Sequence, residues 1–268
     1  MQQSDKESTK DGTQSGPSQS LFATEAGHFY TRDGEPAYTV PNKSKPGTQR
    51  PTTLRDCKAL NLVPSVTNII RVAAQPGLER WKQTQLIHSA LTLPRITGES
   101  EDDFAKRVVL DAQEQARKAR EKGSEIHGSI EHYFKGGNVP SEHKPVIQAI
   151  EMEFADLGLK GPWSAEKSFA CDLGYGGKLD LHNGDCVVDF KTKANWTDKD
   201  KIAYDEHAMQ LAAYVRGLGG NQDTRRINIF VSTEELGKVK SVEWDDYDRD
   251  FQMFYLLLQY WQVSNRHQ

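Results

Sequence analysis

The chemistry of this chain concentrates in the segment Gly176-Gly177-Lys178-Leu179-Asp180-Leu181-His182-Asn183-Gly184-Asp185-Cys186-Val187-Val188-Asp189-Phe190-Lys191-Thr192. Asp180 precedes Asp189 by nine positions, and Asp189 stands two before Lys191. Residues two apart leave the same face of a strand, so an acid and an amine emerge together. Two carboxylates brought to one place repel each other unless a cation sits between them, and hard cations take oxygen ligands. Asn183-Gly184 predicts a two-residue type I′ hairpin turn, because both residue types tolerate positive φ. Strands are then expected over 178–182 and 185–190, with Val187, Val188 and Phe190 supplying buried surface. The hairpin alone does not make the two acids direct partners; a bend or bulge could aim both at one point.

Two helices must flank that hairpin. Residues 104–134 are largely helix-forming. His127 and Glu131 stand four apart there and share a face, beside an apolar stripe of Ile126, Ile130, Tyr133 and Phe134. Gly123 and Gly128 cost helix propensity, and one use of a glycine next to His127 is close approach by a backbone or ligand. A zinc-protease reading fails, because its two histidines must stand four apart, whereas His127 and His132 are five apart. Residues 204–218 form the second helical pattern, with Gln210 and Tyr214 on one face and Leu211, Val215 and Leu218 along the apolar stripe.

Taken in order, these elements resemble the RecB-type branch of the PD-(D/E)xK nuclease superfamily. That branch runs through a helical His, a strand Glu, an Asp at a strand end, an acid followed by x-Lys, and a Gln-x-x-x-Tyr helix. Here the series reads His127 with Glu131, then Glu166, Asp180, Asp189-Phe190-Lys191-Thr192 and Gln210-Leu211-Ala212-Ala213-Tyr214. Each element is a weak signal by itself; the ordered set is specific. It covers roughly residues 104–218, and Pro64-Ser65-Val66-Thr67-Asn68-Ile69-Ile70 extends it toward exonucleases similar to the mitochondrial genome-maintenance exonuclease and its phage relatives. The Asp-Phe-Lys-Thr stretch is also similar to the RecE-type recombination exonucleases of prophages. The Pro that names the superfamily is missing before the first acid.

The resemblance implies an α+β fold, a central mixed β-sheet flanked by helices around a restriction-endonuclease-like core. It implies Mg²⁺ or Mn²⁺ held by His127, Asp180, Asp189 and the Phe190 carbonyl. Lys191 would act on the attacking water and the transition state, and Glu166 joins the catalytic set. Glu131, Gln210 and Tyr214 would complete or orient the site and the substrate. The implied activity is metal-dependent hydrolysis of DNA from its ends, in phage or bacterial recombination, replication or repair. DNA is the implied partner, with room for a single-strand annealing or recombination protein. An endonuclease on the same core, or a catalytically idle DNA-binding module, are the rivals. Some relatives carry four cysteines for an iron–sulfur cluster. Cys57, Cys171 and Cys186 include no close pair, so no cluster is expected.

Composition bounds these readings. The 268 residues suit one domain with decorations, and 36% hydrophobic content is enough for one core. Residues 1–20 carry no large apolar side chain after Met1 and are expected to be a disordered tail. Residues 21–63 are expected to be an irregular arm, basic and Pro-rich over 36–58, leaving 64–268 as the nuclease domain with a helical N-terminal part. No apolar run reaches the ~20 residues of a membrane span and no secretory signal is visible. Unpaired cysteines fit a reducing cytoplasm, bacterial or in a phage-infected host. The net charge of −4 is unlike a basic nucleic-acid binder. The acidic excess is local to 243–250, however, and 104–122 is basic on balance. After 218 the pattern returns to strand, with expected strands over 226–232 and 239–244 and a closing amphipathic helix over 247–263.

Overall fold

A computed structural model describes residues 28–267. The expected tail over 1–20 lies outside the described residues. Residues 28–63 of the expected irregular arm are ordered into small elements. Strand β1 (Phe29–Tyr30) is followed by β2 (Thr39–Pro41), β3 (Gln49–Pro51) and helix α1 (Leu54–Ala59). β2 and β3 pair with each other, and β1 pairs with β4 (Val63–Pro64). Phe29, Cys57 and Leu62 are buried in the main core, which holds this segment against the domain. Strands of two or three residues carry no readable periodicity, which is why the segment reads as irregular.

Next come α2 (Val66–Ile70), α3 (Pro76–Thr92), α4 (Glu101–Phe134) and α5 (Lys144–Asp156). Ser65 caps α2 by accepting the Asn68 amide, and Ser100 caps α4 by accepting the Asp103 amide. The acidic first turn of α4 (Glu101, Asp102, Asp103) complements the helix dipole. α4 is one continuous helix through both glycines. Gly128 faces open space. Gly123 is the residue that allows close approach: a Cβ there would lie 2.5 Å from the Thr192 hydroxyl.

Five strands form the central mixed sheet in chain order: β5 (Ser164–Cys171), β6 (Tyr175–His182), β7 (Cys186–Lys193), β8 (Arg225–Ser232) and β9 (Val239–Trp244). Neighbours are antiparallel except β7 and β8, which are parallel and joined through α6 (Asp205–Gly217). α7 (Tyr247–Asn265) closes the chain. The fold is α+β, with the sheet flanked by helices. α2, α6 and α7 pack one apolar cluster with Val187, Leu179 and Phe169. α4 and α5 pack the other with Val188, Phe190, Ile227 and Leu181. Cys57, Cys171 and Cys186 are free and buried. No helix of the described residues is long and apolar enough to cross a membrane.

Two local departures matter for the site. The β6–β7 connection spans Asn183, Gly184 and Asp185 and is not a two-residue type I′ turn. Gly184 has φ +93°, whereas Asn183 does not take positive φ; its side-chain oxygen accepts the amides of Asp185 and Cys186 instead. The second departure is in β5–β6. The register runs Ala165↔Leu181 and then Lys167↔Leu179, skipping Glu166 and Asp180, and Glu166 has φ +60°. Leu179 and Leu181 would share a face of a regular strand. Here Leu181 packs toward α4 and α5 while Leu179 packs toward α6 and α7. The strand pair therefore passes its apolar side chains from one face to the other at Glu166 and Asp180.

Candidate active site

The β6–β7 ladder contains the pairs Leu181↔Val188 and His182↔Val187 and stops there. The next two residues in register are Asp180 and Asp189, so the hairpin register itself sets the two acids opposite each other. This is contrary to the expectation that a bend or bulge would aim them; the longer turn shifts the register from the one a two-residue loop would impose. Beyond the last pair the strands part, and the Asp180 carboxylate accepts the Phe190 amide at 2.7 Å. A residue's N–H and C=O point to the same strand edge, so the Phe190 carbonyl faces the same gap. His127, on α4, reaches Asp180 from the other face, with Nε2 3.1 Å from Oδ2. The imidazole packs edge-on against Phe190.

Asp189 is buried on the α6 side at 3% exposure, and several groups converge on it. The Lys191 ammonium donates to Oδ1 at 3.1 Å and lies 2.8 Å from Oδ2. Gln210 Nε2 donates to Oδ1 at 3.1 Å and Asn228 Nδ2 to Oδ2 at 2.7 Å. Gln210 also accepts from Lys191 at 3.0 Å, and its Nε2 lies 2.7 Å from the Tyr214 hydroxyl. The i,i+4 pair on α6 therefore ties the acid and the amine of Asp189-x-Lys191 into one network. His207 is held neutral below it: burial, with the charges of Lys191 and Lys193, pushes its pKa down to about 3.

The two acids are tuned apart. Burial pushes Asp189 up to about 6; Lys191 opposes that shift and the nearby Asp180 charge adds to it. Burial also works against ionised Asp180, but the charge and hydrogen bond of His127, with the Lys191 charge and the Phe190 amide, together outweigh it and hold that carboxyl below its usual range. The Asp180 charge in turn raises His127. Burial, then the charge of Asp189, raises Tyr214 far above the usual phenol range.

Seven of the nine expected positions meet here: His127, Asp180, Asp189, Phe190 through its backbone, Lys191, Gln210 and Tyr214. The other two have different partners. Glu131 ion-pairs with Lys135 one turn further along α4. Glu166 stands across from Asp180 in the skipped register position, but its carboxylate ion-pairs with Lys178. Asn228 belongs to the site and was not among the expected residues, while His207 accepts the Tyr204 amide and packs against Phe230 nearby. The only sequence signal for Asn228 is an amide inside the apolar run Ile227-Asn228-Ile229.

The donor chemistry fits a hard divalent cation: the buried Asp189 carboxylate, the partly buried Asp180 carboxylate, the Phe190 carbonyl edge and an imidazole. The spacing is wider than one ion's ligand set. Among the described residues, Glu125, Glu142 and His143 form the one trio of possible metal ligands whose atoms lie within 4.8 Å of one another. That trio includes neither Asp180 nor Asp189, and its His143 Nδ1 is hydrogen-bonded to Ser129 at 2.7 Å. Asp189 has its cationic partner in Lys191, and the Asp180 carboxylate has the His127 imidazole, whose pKa it raises.

No family model matches the chain, and no curated protein matches it. Among solved structures it is similar to the protein SSO0001, at 18% identity and a TM-score of 0.28 over 45% of this chain and 59% of that one. It is also similar to a "Putative exonuclease" from Eubacterium rectale, at 18% identity and a TM-score of 0.40 over 55% of this chain and 69% of that one.

Proposed function

We propose that this protein is a metal-dependent deoxyribonuclease that hydrolyses phosphodiester bonds from DNA ends. The observation that carries the reading is the convergence at one strand gap of Asp180, Asp189, Lys191 and His127, four groups delivered by β6, β7 and α4. Asp180, Asp189, the Phe190 carbonyl and His127 would hold Mg²⁺ or Mn²⁺. A bound cation of this kind lowers the pKa of an attacking water and neutralises charge on the phosphate.

The chain's own residues divide the remaining work. Lys191, fixed between Asp189 and Gln210, presents a compact positive charge where the phosphate's charge builds. Gln210 holds that ammonium and the Asp189 carboxylate in mutual register. Tyr214 keeps its proton and fixes Gln210 from behind. Asp180 fixes the open edge of β7 by holding the Phe190 amide. A binder without catalysis would gain nothing from two carboxylates turned toward phosphates.

Action from ends rests on the ordered series His127, Gln210 and Tyr214, which in the branch the sequence resembles accompanies exonucleases more than site-specific endonucleases. The test uses end-labelled linear DNA and covalently closed circles with Mg²⁺ or Mn²⁺, resolved on a gel. Linear DNA is digested to short products and closed circles survive. Rapid nicking of circles would establish the endonuclease alternative, and no cleavage of either substrate would end the nuclease reading.

A further inference from the structure

Asp189 needs a defined orientation, because its carboxylate serves Lys191 on one side and the gap toward Asp180 on the other. Lys191 and Gln210 cannot define it alone. Both are long side chains, and the Lys191 ammonium touches both Asp189 oxygens. The remaining partner is different in kind. Asn228 lies on β8 directly beside Asp189 in the parallel β7–β8 register and is completely buried. Its Nδ2 donates to Asp189 Oδ2 at 2.7 Å and to the Asp189 main-chain carbonyl at 3.3 Å. One amide thus ties the Asp189 carboxylate to its own main-chain carbonyl.

An Asn amide can flip, and a flipped Asn228 would set its oxygen against the Asp189 carboxylate. Trp244 excludes that state. Its indole N–H, a donor only, reaches Asn228 Oδ1 at 2.8 Å. The oxygen must face Trp244, so the NH₂ must face Asp189. We infer that Asn228 is a positioning residue for Asp189, with its own orientation set by Trp244 on β9. The inference rests on the metal-dependent reading of the site. Groups that orient a ligating carboxylate typically change metal affinity by roughly 10–100-fold when removed.

The test is calorimetric titration of full-length protein with Mn²⁺, alongside thermal unfolding of each variant. Asn228→Leu, close in volume, lowers Mn²⁺ affinity by about 10-fold or more. Trp244→Phe keeps a ring in place, loses the N–H and lowers affinity in the same direction. Val242→Ala is the control: Val242 faces Asn228 in the β8–β9 register but takes no part in the lock. It lowers Tm and leaves Mn²⁺ affinity unchanged. Should Asn228→Leu fail to fold, Trp244→Phe decides the matter. Unchanged affinity in a folded Trp244→Phe protein, or an equal loss in Val242→Ala, overturns the positioning role while the metal reading stands. Failure of the unsubstituted protein to bind Mn²⁺ overturns that reading and this inference together.

Discussion

Asp180 Oδ2 occupies the place of a missing strand neighbour for Phe190, accepting its amide hydrogen at 2.7 Å. The same oxygen lies 3.1 Å from His127 Nε2. One carboxylate therefore closes the open end of the β6–β7 ladder and anchors α4 to the sheet, and its replacement has to be judged on both counts.

Asp180→Asn retains an acceptor for the Phe190 amide and removes the charge. Its fold is expected to survive while cleavage of end-labelled DNA falls by on the order of 10³-fold, the equivalent of several kcal/mol of metal-derived stabilisation. Asp189→Asn is expected to lose as much. Undiminished digestion by either variant would remove the site from consideration.

Lys191→Ala is expected to keep Mn²⁺ binding at pH 8 and lose turnover. Lys191→Arg does not restore it, because a planar guanidinium does not match a compact ammonium seated between Asp189 and Gln210. Single-turnover rates and calorimetry on the same preparations separate the two effects. Loss of the metal itself in Lys191→Ala would show that the ammonium organises Asp189 and not the reacting phosphate.

His127→Ala is expected to raise the Mg²⁺ concentration needed for half-maximal cleavage by about 10-fold, with partial rescue at high metal. His132→Ala, at an exposed position on the same helix, leaves that concentration unchanged. Equal effects from both would point to α4 stability in place of coordination.

The pH dependence follows from Asp189, whose carboxyl is pushed up to about 6 chiefly by burial. A cation must displace the proton below that value, so Mn²⁺ affinity falls by about tenfold per pH unit below 6 from this group. The same shift affects stability without metal. A raised native pKa gives a contribution that is complete below the unfolded value of 3.8 and is lost as pH rises through 6. Added Mn²⁺ therefore raises Tm more at pH 7.5 than at pH 5. Equal shifts at both values would place the titrating ligand elsewhere.

Gly123→Ala raises helix propensity by about 1 kcal/mol in isolation, yet its Cβ would lie 2.5 Å from the Thr192 hydroxyl. The variant is expected to lower Tm and slow cleavage, because α4 must retreat from β7 and carry His127 with it. Thr192→Ala, added to Gly123→Ala, restores both. A Tm for Gly123→Ala at or above that of the parent would show that Thr192 yields without cost.

The site was legible in the sequence wherever spacing alone defines direction. Asp189 and Lys191 share a strand face at i,i+2, and Gln210 and Tyr214 share a helix face at i,i+4, so their convergence follows from period. Glu131 shows the limit of the same rule. It is also four residues from His127, but helical spacing does not say which side of a face meets the sheet, and Lys135 captures it. Glu166 is obscured by a backbone departure, since its left-handed φ breaks the alternation that places strand residues. Asn228 is 39 residues from Asp189 in the chain, and only the parallel register puts them side by side. The Asn183-Gly184 signal located the turn but not its type, because the Asn183 side chain, and not its φ, closes the loop.

The change of face at Glu166 and Asp180 has a mechanical consequence. The two apolar cores on either side of the sheet share β6, and Asp180 stands at the residue where that strand leaves one core for the other. Asp180 is thus at a seam between two bodies, with His127 on one side and, through Asp189, Gln210 on the other. Asp180 joins the two halves directly, through His127 on α4 and the Phe190 amide on β7. If a cation were held by His127, Asp180 and Asp189, it would tie the two halves together as a rivet, and its affinity would report on how they are seated.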